Sequence, residues 1–157
     1  MALRNSKPTL KLLIAIGGWT DSRTNKYSTL LASPTKRANF VTEVVKFIND
    51  YGFDGLDLDY EYPNYDGVHT DRAGFTALVK ELRDAFNSYG WLLSAAVSAS
   101  KTIIDAGYDV QDISNNLDFI NLMTYDMHGS WETKADHHAP LYERPFEPAA
   151  TFTVDYA

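Results

Sequence analysis

The sequence predicts an α/β fold in which a parallel β-sheet carries its helices on the outside. The first observation is an alternation along the chain, because short apolar runs are separated by longer segments with apolar residues at helical spacing. The second is punctuation, since Gly or Pro stands at several of the boundaries between these segments. The third is that the short runs are apolar throughout, which is typical of strands covered on both faces.

The first part of the chain is predicted to form a strand, a helix and a second strand. Residues 9–16 are mostly apolar and end at Gly17-Gly18, which indicates a strand followed by a tight turn. Ser33-Pro34 supplies an N-cap and a proline at the first helical position, and Gly52 ends the helix. Residues 53–60 form the second strand. A polar loop follows it, with Pro63, Asn64, Asp66 and Gly67.

The second part is predicted to continue the same alternation. Apolar residues recur at helical spacing over residues 75–86, and Gly90 follows as the stop. The later elements are a strand at 91–97, a short helix at 108–114, a strand at 117–124, a long loop from Asp126 to about Pro148, and the first turn of a helix at 154–157.

The second strand carries an acid at every second position within the segment Asp54-Gly55-Leu56-Asp57-Leu58-Asp59-Tyr60-Glu61. Because successive side chains of a strand point to opposite faces, Asp57, Asp59 and Glu61 share one face and the apolar residues between them share the other. Carboxylates at that spacing repel one another, and burial raises their pKa values. Such a row is typical of acid–base catalysis, which is the interpretation that we rank first.

Other interpretations of this segment stay open on the residues alone. A divalent metal site ranks second, because carboxylate oxygens suit magnesium or manganese. A solvated strand ranks third, since it explains the alternation but not Phe53 and the apolar flanks. A calcium loop is disfavoured because Leu alternates with Asp. The histidines His128, His137 and His138 lack a matched carboxylate in the sequence, so we expect solvated loop residues there rather than a metal site.

Acids within a buried parallel strand fit best where strands converge at the mouth of a barrel. In α/β barrels the chemistry lies at the C-terminal ends of the strands, and Glu61 is predicted to lie at such an end. An open doubly wound sheet, whose ligands also bind at strand C-termini, is the alternative. Gly17-Gly18 has neither the third glycine of a dinucleotide motif nor the Lys-Ser/Thr of a phosphate loop.

The composition restricts the classes of function. With 157 residues, 45% hydrophobic and 22% charged, the chain suits one globular domain with a sizeable core. A net charge of −7 argues against nucleic-acid binding, and no run of about 18 apolar residues predicts a membrane span. We therefore expect neither nucleic acid nor membrane as a partner. The absence of cysteine excludes thiolate catalysis and Cys-based zinc sites, and the N-terminus lacks the apolar core of a signal peptide.

The acidic segment resembles the D-G-x-D-x-D-x-E signature of family 18 glycoside hydrolases, the chitinases. Residues 13–19 are similar to the third barrel strand of this family, residues 92–97 to the fifth and residues 117–131 to the sixth, in the family's order. The sequence is most similar in style to arthropod chitinases. The resemblance implies part of a (β/α)8 TIM barrel, approximately strands 3 to 6 with their helices. A barrel takes about 250 residues, so strands 1, 2, 7 and 8 are expected to be absent.

The resemblance implies hydrolysis of β-1,4 N-acetylglucosamine polymers by a retaining, substrate-assisted mechanism without a cofactor or metal. Glu61 would protonate the glycosidic oxygen and then activate water as the base. The acetamide carbonyl of the sugar would attack the anomeric carbon, Asp59 would accept the acetamide N–H, and Asp57 would lie deeper and share a proton with Asp59. Two such carboxylates titrate as a pair.

The resemblance also assigns the residues around the acids. Tyr125 would orient the acetamide, Asp126 would contact the sugar and Met123 would line the pocket floor. The stacking platforms would be Trp19 and Trp131, with Gly17 and Gly18 bringing the backbone close to the site. Taken singly these residues are more often core or loop residues, and for Trp131 packing under a loop stays equally open. Trp91 is assigned to the core.

Two residues depart from the family pattern, since Ala15 replaces a common Ser and Tyr60 a common Trp. The competing functions are a chitin-binding lectin, which relatives become when the catalytic Glu is lost, an inactive fragment that serves only in interactions, and a relative that cleaves glycoprotein core sugars. Glu61 is intact and favours the enzyme. The expected partners are chitin or chitooligosaccharides and a second copy bound through the exposed half-barrel edges. We expect an extracellular location from the substrate class alone.

Overall fold

Four parallel strands form the centre of the molecule. A computed structural model describes residues 2–65, 70–144 and 153–157. Within these residues the strands are β1 Leu13–Gly17, β2 Gly55–Asp59, β3 Leu92–Ser98 and β4 Phe119–Met123, which form one sheet in the order β1-β2-β3-β4. Because every neighbouring pair is parallel, each connection crosses over the sheet and carries helices. A doubly wound sheet would reverse its strand order at a switch point, and these four strands show no reversal.

The described residues also form seven helices. They are α1 Ala2–Ser6, α2 Trp19–Ser22, α3 Lys26–Leu31, α4 Pro34–Tyr51, α5 Asp71–Phe86, α6 Lys101–Gly107 and α7 Val110–Asn116. The long helices α4 and α5 cover one face of the sheet, and α5 contributes five of the buried core side chains. The fully buried side chains between helices and sheet include Ile48, Val79, Leu82, Phe86, Leu93 and Ala95.

The capping residues form the contacts that the sequence predicts. Ser33 Oγ accepts a hydrogen bond from the Lys36 backbone N–H, and Pro34 is the first residue of α4. Gly52 ends α4 in the left-handed conformation with φ of 68°. Gly90, also at positive φ, follows α5 after a short turn. The end of each long helix is therefore encoded locally.

The predicted strands and longer helices are confirmed with small shifts at their ends. The first strand begins at Leu13 rather than at residue 9, and the helix predicted over 108–114 spans Val110–Asn116. Four short helices, α1, α2, α3 and α6, were not predicted, because segments this short show little of the helical period. Residues 126–144 contain no helix or strand. Asp66, Gly67 and the end of the long loop at 145–148 lie outside the described residues.

The end of the chain forms a single turn. The Ala157 backbone N–H donates to the Thr153 carbonyl oxygen at 3.3 Å, which is the hydrogen bond of one helical turn. The prediction that residues 154–157 begin a helix is thus confirmed only to the extent of this turn.

The two faces of β2 differ as the alternation predicts. Leu56, Leu58 and Tyr60 are buried in the helix-covered core, whereas Asp57, Asp59 and Glu61 lie half-buried on the opposite face. None of the described helices is long and apolar enough to cross a membrane.

The outer strands leave apolar side chains exposed. On β4, Phe119, Ile120 and Leu122 are all exposed. On the other side, an open groove of about 390 Å³ runs between β1 and α4, and its apolar lining includes Ile14, Ile16, Phe40, Val44 and Phe47. Neither β1 nor β4 has a strand partner on its outer edge among the described residues.

We predict that Gly17→Ala destabilises the fold far more than Gly90→Ala does. Gly17 has φ of 119°, and a Cβ there would stand 2.0 Å from the Asp59 carbonyl oxygen. Gly90 has φ of 65° and open space around the same position. We expect a loss of about 1 kcal/mol for Gly90→Ala and of more than about 3 kcal/mol for Gly17→Ala. Urea denaturation measures both losses, and equal losses would contradict the close approach of the two backbones.

Candidate active site

The acidic row lies at the C-terminal end of β2, where the neighbouring strands contribute polar side chains. Asp57 Oδ1 accepts hydrogen bonds from Ser94 Oγ on β3 at 2.5 Å and from Asn121 Nδ2 on β4 at 3.1 Å. Ala15 pairs with Asp57 in the register of β1 and offers no side-chain hydroxyl there. Asp57 is therefore held from β3 and β4, and not by a side chain from β1.

The carboxylate of Asp59 has fewer hydrogen-bond partners than that of Asp57. Its Oδ1 is buried and has no hydrogen-bond partner among the described residues. Burial, reinforced by the negative charges of Glu61 and Asp57, raises the pKa of Asp59 to about 6. Asp59 can consequently take up a proton in weakly acidic solution.

A buried serine fixes the backbone between Asp59 and Glu61. Ser22, at the end of α2, accepts a hydrogen bond from the Glu61 backbone N–H at 3.0 Å, and its hydroxyl lies 3.5 Å from the Asp59 carbonyl oxygen. The Gly18 backbone N–H donates to that same carbonyl oxygen at 2.7 Å. The turn after β1 therefore holds the end of β2, which the glycines of this turn permit through their positive φ values.

The back of the acidic strand is tied into a buried polar cluster. Tyr60 OH donates to Asp71 Oδ2 at 2.8 Å, and Ser28 Oγ donates to the same oxygen at 2.7 Å. The Tyr27 ring stacks on Tyr60 with centroids 4.8 Å apart. Tyr60 thus points away from the acids, as its position in the strand predicts, and the cluster prevents β2 from rotating.

Tyr62 lies beside Glu61 and was not singled out from the sequence. Burial, then the negative charge of Glu61 and a hydrogen bond to the Glu61 side chain, raise the pKa of Tyr62. The phenol therefore stays protonated and keeps its proton available for donation. Tyr62 directly follows the acidic signature, but nothing in the sequence alone distinguishes it from a core tyrosine.

The residues after β4 line a cavity that reaches Tyr62, next to Glu61 in the chain, but whose lining includes none of the three acids. Met123, Tyr125 and Asp126 line a cavity of about 610 Å³ together with Tyr62. The rest of the lining comes from the segment after β3 and from near the chain's end, at Ser98, Ala99, Ser100, Lys101, Thr102, Ile103, Asp105, Met127 and Tyr156. Burial, followed by the negative charges of Glu61 and Asp59, raises the pKa of Tyr125.

Two loop histidines have carboxylate partners, so the prediction that they lack them is wrong. His138 Nε2 lies 2.6 Å from Asp126 Oδ1, and its ring stacks on Tyr125. His128 Nδ1 lies 3.0 Å from Glu132 Oε2. The pairing of His138 with Asp126 spans a loop, and sequence spacing gives no sign of it. Within the described residues no group of three or more histidine and acidic side chains is arranged to hold a metal ion.

The predicted aromatic platforms differ in their surroundings. Trp19 is 48% exposed at the start of α2 and meets the ring of Tyr65 edge to face at 6.0 Å. Trp131 is 67% exposed, and its ring lies against Gly129. Trp91 packs on Phe86 at the edge of the core, as predicted. The structure therefore places Trp19 close to the acids and leaves Trp131 on the outer part of the long loop.

A family profile and individual relatives identify the same family for this chain. The sequence profile of the glycosyl hydrolases family 18 matches residues 1–157. Probable chitinase 10 and probable chitinase 2 of Drosophila melanogaster are both 47% identical to the chain, covering 94% and 98% of it. The chain spans only 7% and 32% of these two relatives.

Solved structures agree with the sequence relatives. Catalytic domain 2 of the Ostrinia furnacalis Group II chitinase has a TM-score of 0.93 and 49% identity, over 99% of this chain and 42% of that one. A mutant of that domain, solved in complex with a chitooligosaccharide, (NAG)5, has a TM-score of 0.92 at 48% identity over the same shares. Human YKL-39, described as a pseudo-chitinase that retains chitooligosaccharide binding, has a TM-score of 0.88 at 33% identity, over 99% of this chain and 44% of that one.

We predict that Asp59 makes the stability of the fold fall as the pH rises from about 4 to about 6. The folded state binds the Asp59 proton more tightly than the unfolded chain does, because its pKa is raised from 3.8 to about 6. The stabilisation is therefore fully present below the lower value and is lost as the pH passes the higher one. Asp59→Asn cannot titrate and should lack this component.

Urea midpoints of the parent and of Asp59→Asn, measured from acid to neutral pH, test this. Carboxylates away from the acidic row titrate in both proteins, so the difference between the two curves reports Asp59 together with its coupling to Glu61 and Asp57. If the stability of the parent relative to Asp59→Asn stays constant or increases as the pH rises, the pKa of Asp59 is not raised in the folded state.

Proposed function

The chain belongs to glycosyl hydrolase family 18, and we propose that it hydrolyses β-1,4-linked N-acetylglucosamine polymers as a chitinase. The observation that carries this proposal is the position of Glu61 just beyond β2, with Asp59 and Asp57 behind it on the same face. The relatives named as chitinases and the (NAG)5 complex support the substrate class. The chain covers less than half of these proteins, so the activity of the whole is proposed by analogy.

In the proposed reaction Glu61 acts first as an acid and then as a base. The acetamide carbonyl oxygen of the sugar attacks the anomeric carbon while the bond to the leaving oxygen breaks, and that oxygen takes the proton of Glu61. An oxazolinium ion results. A water molecule then attacks the anomeric carbon and gives its proton to Glu61, which restores the acid and retains the configuration. Tyr62, which directly follows Glu61 and stays protonated, would donate to the Glu61 carboxylate and orient it.

Asp59 and Asp57 would handle the charge of the acetamide. The Oδ1 of Asp59 has no partner in the described part of the chain, and the carboxylate would accept the acetamide N–H once its buried side chain turns toward the sugar. As the oxazolinium forms, a negative Asp59 stabilises its positive charge. Asp57, held by Ser94 and Asn121, keeps its place whether or not Asp59 carries a proton.

The cavity residues would bind the sugar. Tyr125 lines the cavity and could donate its phenol to the acetamide carbonyl, while Met123 would form the pocket floor. Asp126, paired with His138, would contact the sugar hydroxyls. The half-exposed ring of Trp19 offers a stacking face, and Gly17 and Gly18 keep the backbone close to Asp59. For Trp131 the contact with Gly129 and the high exposure allow stacking at the outer rim only.

The second candidate function is oligosaccharide binding without hydrolysis. The likeness to human YKL-39 supports it, because that protein is described as binding without chitinase activity. The intact Glu61 favours hydrolysis. We further propose that the chain corresponds to strands 3 to 6 of the barrel, and that it acts outside the cell, where chitin is found.

We also propose a second copy of this 157-residue chain as a partner. The outer edges of β1 and β4 lack strand partners among the described residues, and both are apolar. Since the sheet is parallel throughout, β4 of one copy and β1 of another can pair in parallel and bring four strands to the eight of a closed barrel.

We predict that Glu61→Gln abolishes hydrolysis and leaves sugar binding in place. The amide keeps the size of the side chain but cannot donate the proton, so we expect a loss of at least about a hundredfold in rate. Release of a fluorogenic group from a chitotriose glycoside measures hydrolysis, and calorimetry with chitopentaose measures binding. Glu81→Gln on α5, which covers the face of the sheet opposite the acids, is the control. Hydrolysis by Glu61→Gln at the parental rate would refute the role assigned to Glu61.

We predict that Leu122→Lys shifts the chain from dimer to monomer. Leu122 is exposed on β4, and a charge there opposes pairing of the apolar edge. Light scattering coupled to size exclusion measures the mass of the parent and the variant. Val110→Lys, which changes an exposed residue of α7, should leave the mass unchanged. A parent chain that elutes as a monomer would contradict the proposed dimer.

A further inference from the structure

We propose that the C-terminal end of α6 positions Glu61, because it supports the turn at residues 62–65 that directly follows this acid. The inference rests on the proposed function, since it concerns the general acid of the same reaction. It assigns Gly107 and Asn64 a part as positioning residues, although neither belongs to the acidic signature or lines the cavity.

This turn is closed by its own backbone. The Tyr65 backbone N–H donates to the Tyr62 carbonyl oxygen at 3.1 Å. Pro63 stands at the second position of the turn, and Asn64 at the third position has φ of 62°. Proline at the second position and a positive φ at the third are typical of a type II turn. The turn therefore has a defined shape, and Glu61 is the residue that leads into it.

Two contacts, which together are called the α6 contact, join the turn to the end of α6. Asn64 Nδ2 donates to the Ala106 carbonyl oxygen at 2.7 Å, in the last turn of the helix, where intrahelical donors run out. Pro63 is fully buried, and a Cβ at Gly107 would stand 2.5 Å from its carbonyl oxygen. The two backbones therefore touch, and a glycine is needed at Gly107 for this close approach.

The end of α6 is itself fixed by α5. Arg72 Nη1 on α5 donates to the Asp105 carbonyl oxygen at 3.1 Å. Tyr108, directly after α6, is 3% exposed, and its ring meets Phe75 of α5 edge to face with centroids 5.8 Å apart. Because α5 belongs to the core of the molecule, the end of α6 is a rigid support for the turn.

Glu61 lies between two points of attachment. Its own backbone N–H donates to Ser22 Oγ at 3.0 Å, and Pro63, two residues later, packs against Gly107. Only Tyr62 separates Glu61 from Pro63 in the chain, so the direction of the Glu61 side chain depends on both attachments. A general acid must lie within hydrogen-bond distance of the atom that it protonates, and a displacement of about 1 Å can cost about a hundredfold in rate. Loss of the α6 contact should therefore lower kcat.

The test changes the α6 contact from each of its two sides. Gly107→Ala places a methyl group against the Pro63 carbonyl oxygen. Asn64→Val removes the hydrogen bond to Ala106 and strongly disfavours the positive φ, whereas Asn64→Gly removes the same hydrogen bond but permits that φ. With the fluorogenic chitotriose glycoside we expect kcat to fall about tenfold in Gly107→Ala and in Asn64→Val, with KM changed by less than about twofold. Asn64→Gly should retain at least about half of the parental kcat.

A double variant and a matched control separate this role from a general loss of structure. Gly107→Ala combined with Asn64→Val should lose little more than the weaker single variant, because both substitutions act on one contact. Asn116 also donates its side-chain amide to a backbone carbonyl oxygen, that of Asp112 at 2.8 Å, but it does so in α7, which packs on α5. Asn116→Ala should leave kcat and KM unchanged.

Hydrogen exchange measured by NMR tests the α6 contact without a substrate. The backbone N–H groups of Glu61 and Tyr65 should exchange at least about fivefold faster in Gly107→Ala than in the parent, relative to those at the centre of the sheet. Unchanged exchange at both groups overturns the inference, as does a fall in kcat that Asn116→Ala shares.

If Gly107→Ala does not fold, Asn64→Val and Asn64→Gly decide the question by the same measurements, and equal kcat values in these two variants overturn the inference. A parent chain that does not hydrolyse the glycoside would refute the proposed function, which is a distinct result. The exchange rates of the Glu61 and Tyr65 N–H groups would still decide whether the end of α6 holds this segment.

Discussion

The structure depends on the alternation of side chains along β2. Leu56, Leu58 and Tyr60 anchor one face in the core, and this fixes Asp57, Asp59 and Glu61 on the other. A shift of one residue in the strand would bury three carboxylates among the apolar side chains of α4 and α5, at a cost of several kcal/mol for each charge. The hydrophobic core therefore determines where the acids point. The positions of the acidic side chains are therefore set by packing on the opposite face of the sheet, which no substrate reaches.

The neighbouring strands provide hydrogen-bond donors to Asp57 but not to the buried oxygen of Asp59. This difference affects which of the two carboxyl groups takes up a proton. Ser94 and Asn121 both donate to Asp57, whereas the buried Oδ1 of Asp59 receives no hydrogen bond in the described part of the chain. Donors stabilise a negative carboxylate, and burial without donors favours the neutral form. The raised pKa of Asp59 is the expected result. A ligand N–H that donates to Asp59 would supply the missing hydrogen bond and favour the charged form of its carboxyl group.

The sequence predicts the parts of this molecule that depend on local pattern. Strand alternation identified the face of the acids, and Ser33, Pro34 and Gly52 set the ends of α4, because a cap acts through its immediate neighbours. The contacts of Ser22 with Glu61, of Asp71 with Tyr60 and of His138 with Asp126 were not predictable. Each joins residues from different elements, so no spacing rule reports it. The short helices were missed because four to seven residues give too few turns for a period.

The turn after β1 connects the fold to the substrate surface. Gly18 and Ser22, at the two ends of α2, both bond the backbone around Asp59 and Glu61, and Trp19 lies between them as the first residue of that helix. A movement of α2 would break these hydrogen bonds, so they hold the backbone of Trp19 in place relative to that of Glu61. Tyr65 approaches Trp19 from the other side, along the segment that follows Glu61. Glu61 and Trp19 are thus held by one set of backbone contacts, and an oligosaccharide can meet both without rearrangement of the turn.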